Sequence, residues 1–96
     1  MTERRFENFI WDEEKEAENL RKHGVDFTTA ARAFQDPKRA IFIDESHSHH
    51  EERHFCFGKV HDRILTVRFT YREGCIRIYG AGYWRKGRDY YEQKET

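Results

Sequence analysis

Arg63-Ile64-Leu65-Thr66-Val67-Arg68-Phe69-Thr70-Tyr71-Arg72-Glu73-Gly74-Cys75-Ile76-Arg77-Ile78-Tyr79 reads as two strands folded back on each other through Glu73-Gly74. β-Branched and aromatic residues fill both arms, and the Glu-Gly pair is compact enough for a hairpin turn. With that turn, Arg72 pairs with Cys75, Thr70 faces Arg77 and Arg68 faces Tyr79. This register sorts Val67, Phe69, Tyr71, Ile76 and Ile78 onto one face and Arg68, Thr70, Arg77 and Tyr79 onto the other. A shift of one residue mixes arginine with Phe69, so side-chain sorting selects the first register. An Arg68/Arg77 cluster beside Tyr79 is costly unless an anion or an acidic partner answers it.

Outward from this hairpin the same strand character recurs. Ala40–Glu45 and Arg53–Val60 are β-branched or aromatic runs, and His61-Asp62 is short enough to turn the chain into Arg63–Tyr71. The register of that second hairpin stays open. Residues 46–52 form a His- and Glu-rich loop. Phe6–Trp11 either adds a strand or packs beside one, and Met1–Arg5 reads as a frayed end.

Helices flank the strands. Asp12 is a good N-cap, Glu13 and Glu14 favour the positive end of the helix dipole, and Gly24 after Lys22-His23 is a stop signal. A second helix is expected from Asp26 as cap through Phe34, ended by Asp36-Pro37, and a third over Arg85–Gln93 despite Gly87. The expectation is a single α+β domain over residues 1–96. It has two N-terminal helices, a four-stranded, mainly antiparallel sheet and a C-terminal helix.

Composition bounds the function. The 96 residues are 36% hydrophobic and 38% charged, polar for a globular domain, and eight Phe, five Tyr and two Trp must supply most of a thin core. Net charge is zero, which excludes a protein that coats nucleic acid through bulk charge. The charge is unevenly spread: residues 1–55 hold nine Lys/Arg against thirteen Asp/Glu, and residues 56–96 hold nine against five. A basic C-terminal part on a neutral chain suits transient contact with RNA or with an acidic segment. Cys56 and Cys75 lack metal-site spacing and read as buried free thiols of a cytoplasmic protein. No run is long enough to span a membrane.

Three constellations carry chemistry. On the first helix, at about 100° per residue, Lys15, Asn19, Lys22 and His23 share one face, with Ala17, Leu20 and Gly24 opposite and expected to dock on the core. With Arg53, Arg68 and Arg77 the chain owns the parts that metal-independent RNA cleavage requires, although spacing alone does not assemble them. Those requirements are a group that titrates near neutrality and cations for the charge on the phosphorane. The bland alternative is a solvated face with His23 capping the helix C-terminus. Second, His47, His49, His50, His54 and His61 allow a zinc or nickel site, although a solvated loop is the better reading and no metal is expected. Third, Tyr79 to Tyr91 interleaves aromatic and basic residues. That pattern suits base stacking on Tyr79 or Trp84 with Arg85 on phosphate, or equally the burial of the rings in a core or interface.

The blocks Trp11-Asp12-x-x-Lys15, Asn19, Lys22-His23-Gly24-Val25, Phe34-Gln35-Asp36-Pro37, Glu52-Arg53 ahead of Gly58, and Ile76-Arg77-Ile78 together resemble the BrnT family. That family is the toxin half of a bacterial type II toxin–antitoxin pair. The resemblance implies a RelE-like fold and metal-independent RNA cleavage, with ribosome-associated mRNA as one possible substrate. It further implies no cofactor and neutralisation by a ribbon-helix-helix antitoxin, with DNA bound only through that antitoxin. A homodimer or a toxin–antitoxin heterotetramer would fit. Lys15, Lys22, His23, Arg53 and Arg77 match family positions and are carried over as phosphate-binding and acid–base residues. Where the family reads Ser-Ala-Arg, this chain has Gly80-Ala81-Gly82, with Arg85 one turn on as a possible substitute. That departure motivates an alternative: a non-catalytic module that holds an antitoxin-like partner on its basic face.

Overall fold

The computed structural model describes residues 2–95. Strands β1 (Glu3–Phe6) and β2 (Phe9–Asp12) precede helix α1 (Glu13–His23), and a short helix α2 (Phe27–Ala31) runs into a 3-10 turn, Arg32–Gln35. Strand β3 (Ala40–Ile43) and a second 3-10 turn (Glu45–His47) lead to β4 (Arg53–Val60), β5 (Arg63–Arg72), β6 (Cys75–Gly82) and helix α3 (Arg85–Glu95). All strands join one sheet in the order β1-β2-β6-β5-β4-β3.

The α+β class stands, but the sheet has six strands and is mixed, not four-stranded and mainly antiparallel. Phe6–Trp11 does not form one element. Glu7 turns the chain at φ 55° so that β1 and β2 form a hairpin, and β2 then pairs in parallel with β6 through Phe9↔Ile76 and Ile10↔Arg77. The expected frayed end is therefore an edge strand from Glu3 onward. It is tied down where Glu13 N–H donates to the Thr2 carbonyl (2.8 Å) and where Arg4 pairs with Glu13 (3.1 Å). Met1 lies outside the described residues. Nothing local in the sequence encodes this arrangement, because the pairing partner of β2 lies more than sixty residues away.

The second N-terminal helix is shorter than expected. Asp26 caps it by accepting from Thr29 N–H (2.8 Å), but α-helix gives way to 3-10 after Ala31. Here the 3-10 turn lies directly on β4. A Cβ on Gly58 would stand 2.8 Å from the Ala33 carbonyl carbon and 2.9 Å from its Cα, so only glycine admits this contact.

Register is set by two tight turns. His61 and Asp62 both adopt positive φ (54° and 63°), as do Glu73 and Gly74 (51° and 78°), the geometry that matches strand twist in two-residue hairpins. Arg72↔Cys75, Thr70↔Arg77 and Phe69↔Ile78 pair as the sequence suggests. A bulge follows. Arg68 lies opposite Gly80 rather than Tyr79, so Tyr79 is the extra residue and β6 resumes its alternation one step late.

The two faces of the sheet differ. One is covered by α1, α2 and the 3-10 turn over Phe9, Trp11, Phe27, Leu65, Val67, Phe69 and Ile78, all buried. The other is covered only in part by α3, which buries Ala40, Phe57, Ile64 and Tyr91. Gly87 lets α3 approach, since a Cβ there would lie 3.1 Å from the Phe57 ring. Tyr91 fixes the helix by donating its hydroxyl hydrogen to Asp36 Oδ2 (2.6 Å). The remainder of this face carries Arg53, Arg68, Thr70, Arg77 and Tyr79.

Candidate functional site

Helix α1 forms one wall of an open groove. Its ends are well specified: Asp12 accepts from Glu14 N–H (3.3 Å), Gly24 closes the helix at φ 71°, and acidic residues occupy the first turn and basic ones the last. The helix does not dock as its apolar residues suggest. Leu20 is 49% exposed, and Ala17 is exposed beside it. Polar anchors hold it instead. Asn19 is buried, donates to the Val25 and Ala81 carbonyls (2.9 Å each) and accepts from Ala81 N–H (3.1 Å). Glu16 accepts from the Trp11 indole (3.0 Å) and from Phe27 N–H (2.9 Å). Asn19 is thus a structural clasp to β6 rather than an amide offered to the outside. Turning Asn19 inward leaves Lys15, Lys22 and His23 on the flank beside it.

These three side chains line a groove of about 450 Å³ together with Arg68, Tyr79, Gly80 and Trp84. His23 meets the Trp84 ring edge-on at 5.1 Å, and the Arg68 guanidinium lies 5.1 Å from the centre of the same indole. Gly82 makes this possible: a Cβ at that position would stand 2.6 Å from the Trp84 ring. The space a side chain would take at residue 82 is filled by an indole that orients both an imidazole and a guanidinium. Lys22 is paired with Glu18 (2.9 Å), and Lys22 in turn holds the Glu18 carboxyl below its ordinary range. Both partners are exposed, so the pair is readily exchanged for a better anion.

Behind the groove, Arg53 stacks over Tyr79 at 5.0 Å. Burial pushes the Tyr79 phenol up, with Arg53 and Arg68 acting against the shift, so its hydroxyl is a hydrogen-bond donor at neutral pH. Arg53 Nε and Thr70 Oγ1 face each other in register and have no protein partner. Asp44 is buried, and burial acts to raise its carboxyl. Hydrogen bonds from Ser46 and His47, with the nearby charges of His47 and Arg68, more than offset this and hold it below its usual range.

Of the residues singled out in the sequence, Lys15, Lys22, His23, Arg68, Tyr79 and Trp84 share the groove, with Arg53 directly behind it. Two lie elsewhere. Arg77 points toward β1 and pairs with Glu3 (3.4 Å), and Arg85 lines a different cleft. The histidines of residues 47–61 disperse. His47 bonds to Asp44 (2.9 Å), His54 stacks on Phe69 (5.3 Å), and His61 sits in a turn. Among the described residues, no group of three or more His, Cys, Asp or Glu is placed to hold a metal ion. Burial pushes the Cys56 thiol up to about 12, which makes it inert at neutral pH. Sequence reasoning missed the Asp44–His47 pair, which lines a neighbouring groove with Arg68 and Trp84. Its signal, Asp and His three apart in a polar loop, is too common to stand out. No helix among the described residues is long and apolar enough to cross a membrane.

No curated protein matches the chain. A family model does: that of the ribonuclease toxin BrnT of type II toxin–antitoxin systems matches residues 11–87, a span that contains the whole of the groove. The chain belongs to the BrnT family of ribonuclease toxins.

Proposed function

We propose that this protein is a metal-independent endoribonuclease whose active site is the groove between α1 and β6. The observation that carries the reading is the convergence of His23, Lys15, Lys22 and Arg68 on one open groove floored by Tyr79 and Trp84. In the reaction, the 2′-oxygen of a ribose attacks the adjacent phosphorus and loses its proton to a base. The 5′-oxygen of the next nucleotide leaves and takes up a proton, giving a cyclic phosphate and a free hydroxyl. His23 serves one of these transfers, since imidazole is the side chain that titrates nearest neutrality. Lys15, Lys22 and Arg68 face the phosphorane charge, with Arg53 behind them and Arg77 at the periphery. Tyr79 or Trp84 stacks a base.

As a type II toxin the protein has an antitoxin partner, for which a ribbon-helix-helix protein is the reading favoured here, and DNA is met only through it. A RelE-like fold, one cytoplasmic domain and a homodimer or toxin–antitoxin heterotetramer belong to the same reading. The test is cleavage of labelled single-stranded RNA in EDTA. Wild type should cut, and His23→Ala should cut about 10²–10⁴-fold more slowly, with Arg77→Ala affected less than His23→Ala. Equal cutting by His23→Ala would remove the imidazole from the mechanism. Tight antitoxin binding with no cutting by wild type, on free RNA or on ribosomes, would leave the non-catalytic module.

A further inference from the structure

Helix α3 begins against its own dipole. In α1 the first turn carries Glu13, Glu14 and Glu16, as the positive end of a helix favours. In α3 the first turn has no acidic residue and instead carries Arg85, Lys86 and Arg88. Trp84 precedes it, and an indole offers no acceptor for the first-turn N–H groups. Three like charges at a positive helix end are unfavourable unless an anion answers them.

These residues do not project at random. Arg85 and Arg88 line a cleft of about 360 Å³ whose opposite wall is the β4–β5 turn with Lys59 and Arg63. The Arg63 guanidinium lies over the Tyr83 ring at 4.1 Å, which fixes the geometry of an otherwise flexible arginine. Among the described residues that line it, Asp62 and Glu92 oppose the four cations, and Arg88 shares its charge with Asp89 at 3.4 Å on the exposed side. Trp84 lines both this cleft and the groove that holds His23.

We propose that the cleft between the β4–β5 turn and the start of α3 is a second phosphate subsite for single-stranded RNA, entered by a strand that leaves the His23 groove across Trp84. The inference rests on the ribonuclease reading for its ligand and gives that reading a minimum length for full binding. A short RNA fills the groove alone, and a longer one also places backbone phosphates among Lys59, Arg63, Arg85 and Arg88. It also gives Arg85 a role on RNA outside the groove.

Fluorescence anisotropy with 2′-O-methyl RNA, which lacks the attacking hydroxyl and cannot be cut, separates the two sites. A trinucleotide and a dodecanucleotide are titrated against wild type and against Lys59→Ala/Arg88→Ala. Both side chains are exposed, and the Lys59 N–H bond to Asp36 is made by the backbone, so folding should be retained. The variant should bind the dodecanucleotide about tenfold more weakly, with a salt slope shallower by about 1.4, the value for two lost phosphate contacts on a single strand. Its trinucleotide affinity should match wild type. Equal loss on both lengths, or loss on neither, overturns the subsite; so does a wild type that binds the two lengths alike. If the variant fails to fold, Lys59→Gln/Arg88→Gln replaces it under the same criteria. Cutting in EDTA is scored separately. A wild type that binds with the expected length dependence but cuts RNA neither free nor on ribosomes removes the enzyme reading and keeps the subsite. A wild type that cuts while the variant shows no length-dependent loss does the reverse.

Discussion

Both faces of the sheet pack aromatic rings against one another, and they differ in what else the rings hold. Beneath α1 and α2, Phe27, Phe69 and Leu65 are fully enclosed, and the rings touch one another: Phe34 meets Phe69 at 5.0 Å and Trp11 meets Phe27 at 6.0 Å. On the other face Phe42 and Phe55 each meet Phe57 at 5.9 Å, but the rings of Tyr79 and Trp84 lie under guanidinium groups, from Arg53 and Arg68 respectively. The same side-chain class stabilises by excluding water in one case and by holding cations in place in the other. Stability and chemistry are therefore largely separable across the thickness of one sheet.

That separation can be broken, and the most severe attempt is Phe69→Ala. The ring is fully buried, and its removal should cost about 3–5 kcal/mol in denaturant unfolding. A loss below about 1 kcal/mol would mean that the helix-covered face is not where the stability lies. Arg68→Ala is the converse. It should leave unfolding within about 0.5 kcal/mol of wild type yet slow RNA cleavage by about 10²-fold. A clear drop in stability with unchanged cleavage would merge the two roles. The smallest effect tests the half-covered part of the open face, where Tyr91 donates to Asp36.

Burial acts to raise the Asp36 carboxyl, but the hydrogen bonds from Tyr91 and from Lys59 and Lys38 N–H more than offset it, so the folded value is lowered. A lowered carboxylate contributes stability above its unfolded value, and that contribution is lost as pH falls through the folded one. Tyr91→Phe should therefore cost about 1 kcal/mol at neutral pH, with the gap to wild type closing below about pH 4. Thermal melts across pH 3–7 read it directly, and a gap independent of pH would assign the loss to packing alone.

How much of this the sequence carried depends on distance along the chain. Asp12 and Gly24 bound α1 because capping is local chemistry, and the hairpin turn at 73–74 was legible for the same reason; around 61–62 a hairpin was expected but its register stayed open. The parallel partnership of β2 with β6 was not, since no local pattern encodes it, and the sheet was undercounted by two strands. The α1 docking face was misread because an apolar leucine was weighed over an asparagine. Asn19 makes three buried hydrogen bonds, while Leu20 stays exposed. Helical spacing put Lys15, Lys22 and His23 on one face, Arg68 was joined to them by charge alone, and the fold brings all four to one groove. Arg77 does not join them: it pairs with Thr70 as the expected register requires, but its side chain turns to Glu3 on β1, an edge strand that the sequence did not reveal.

The clasp between Asn19 and Ala81 joins residues 62 apart, and one wall of the groove precedes its floor along the chain. Lys15 and His23 have no Arg68 or Trp84 to face until β5, β6 and the start of α3 have folded against α1. The non-local contacts that hid the fold from the sequence are also the ones that assemble the groove.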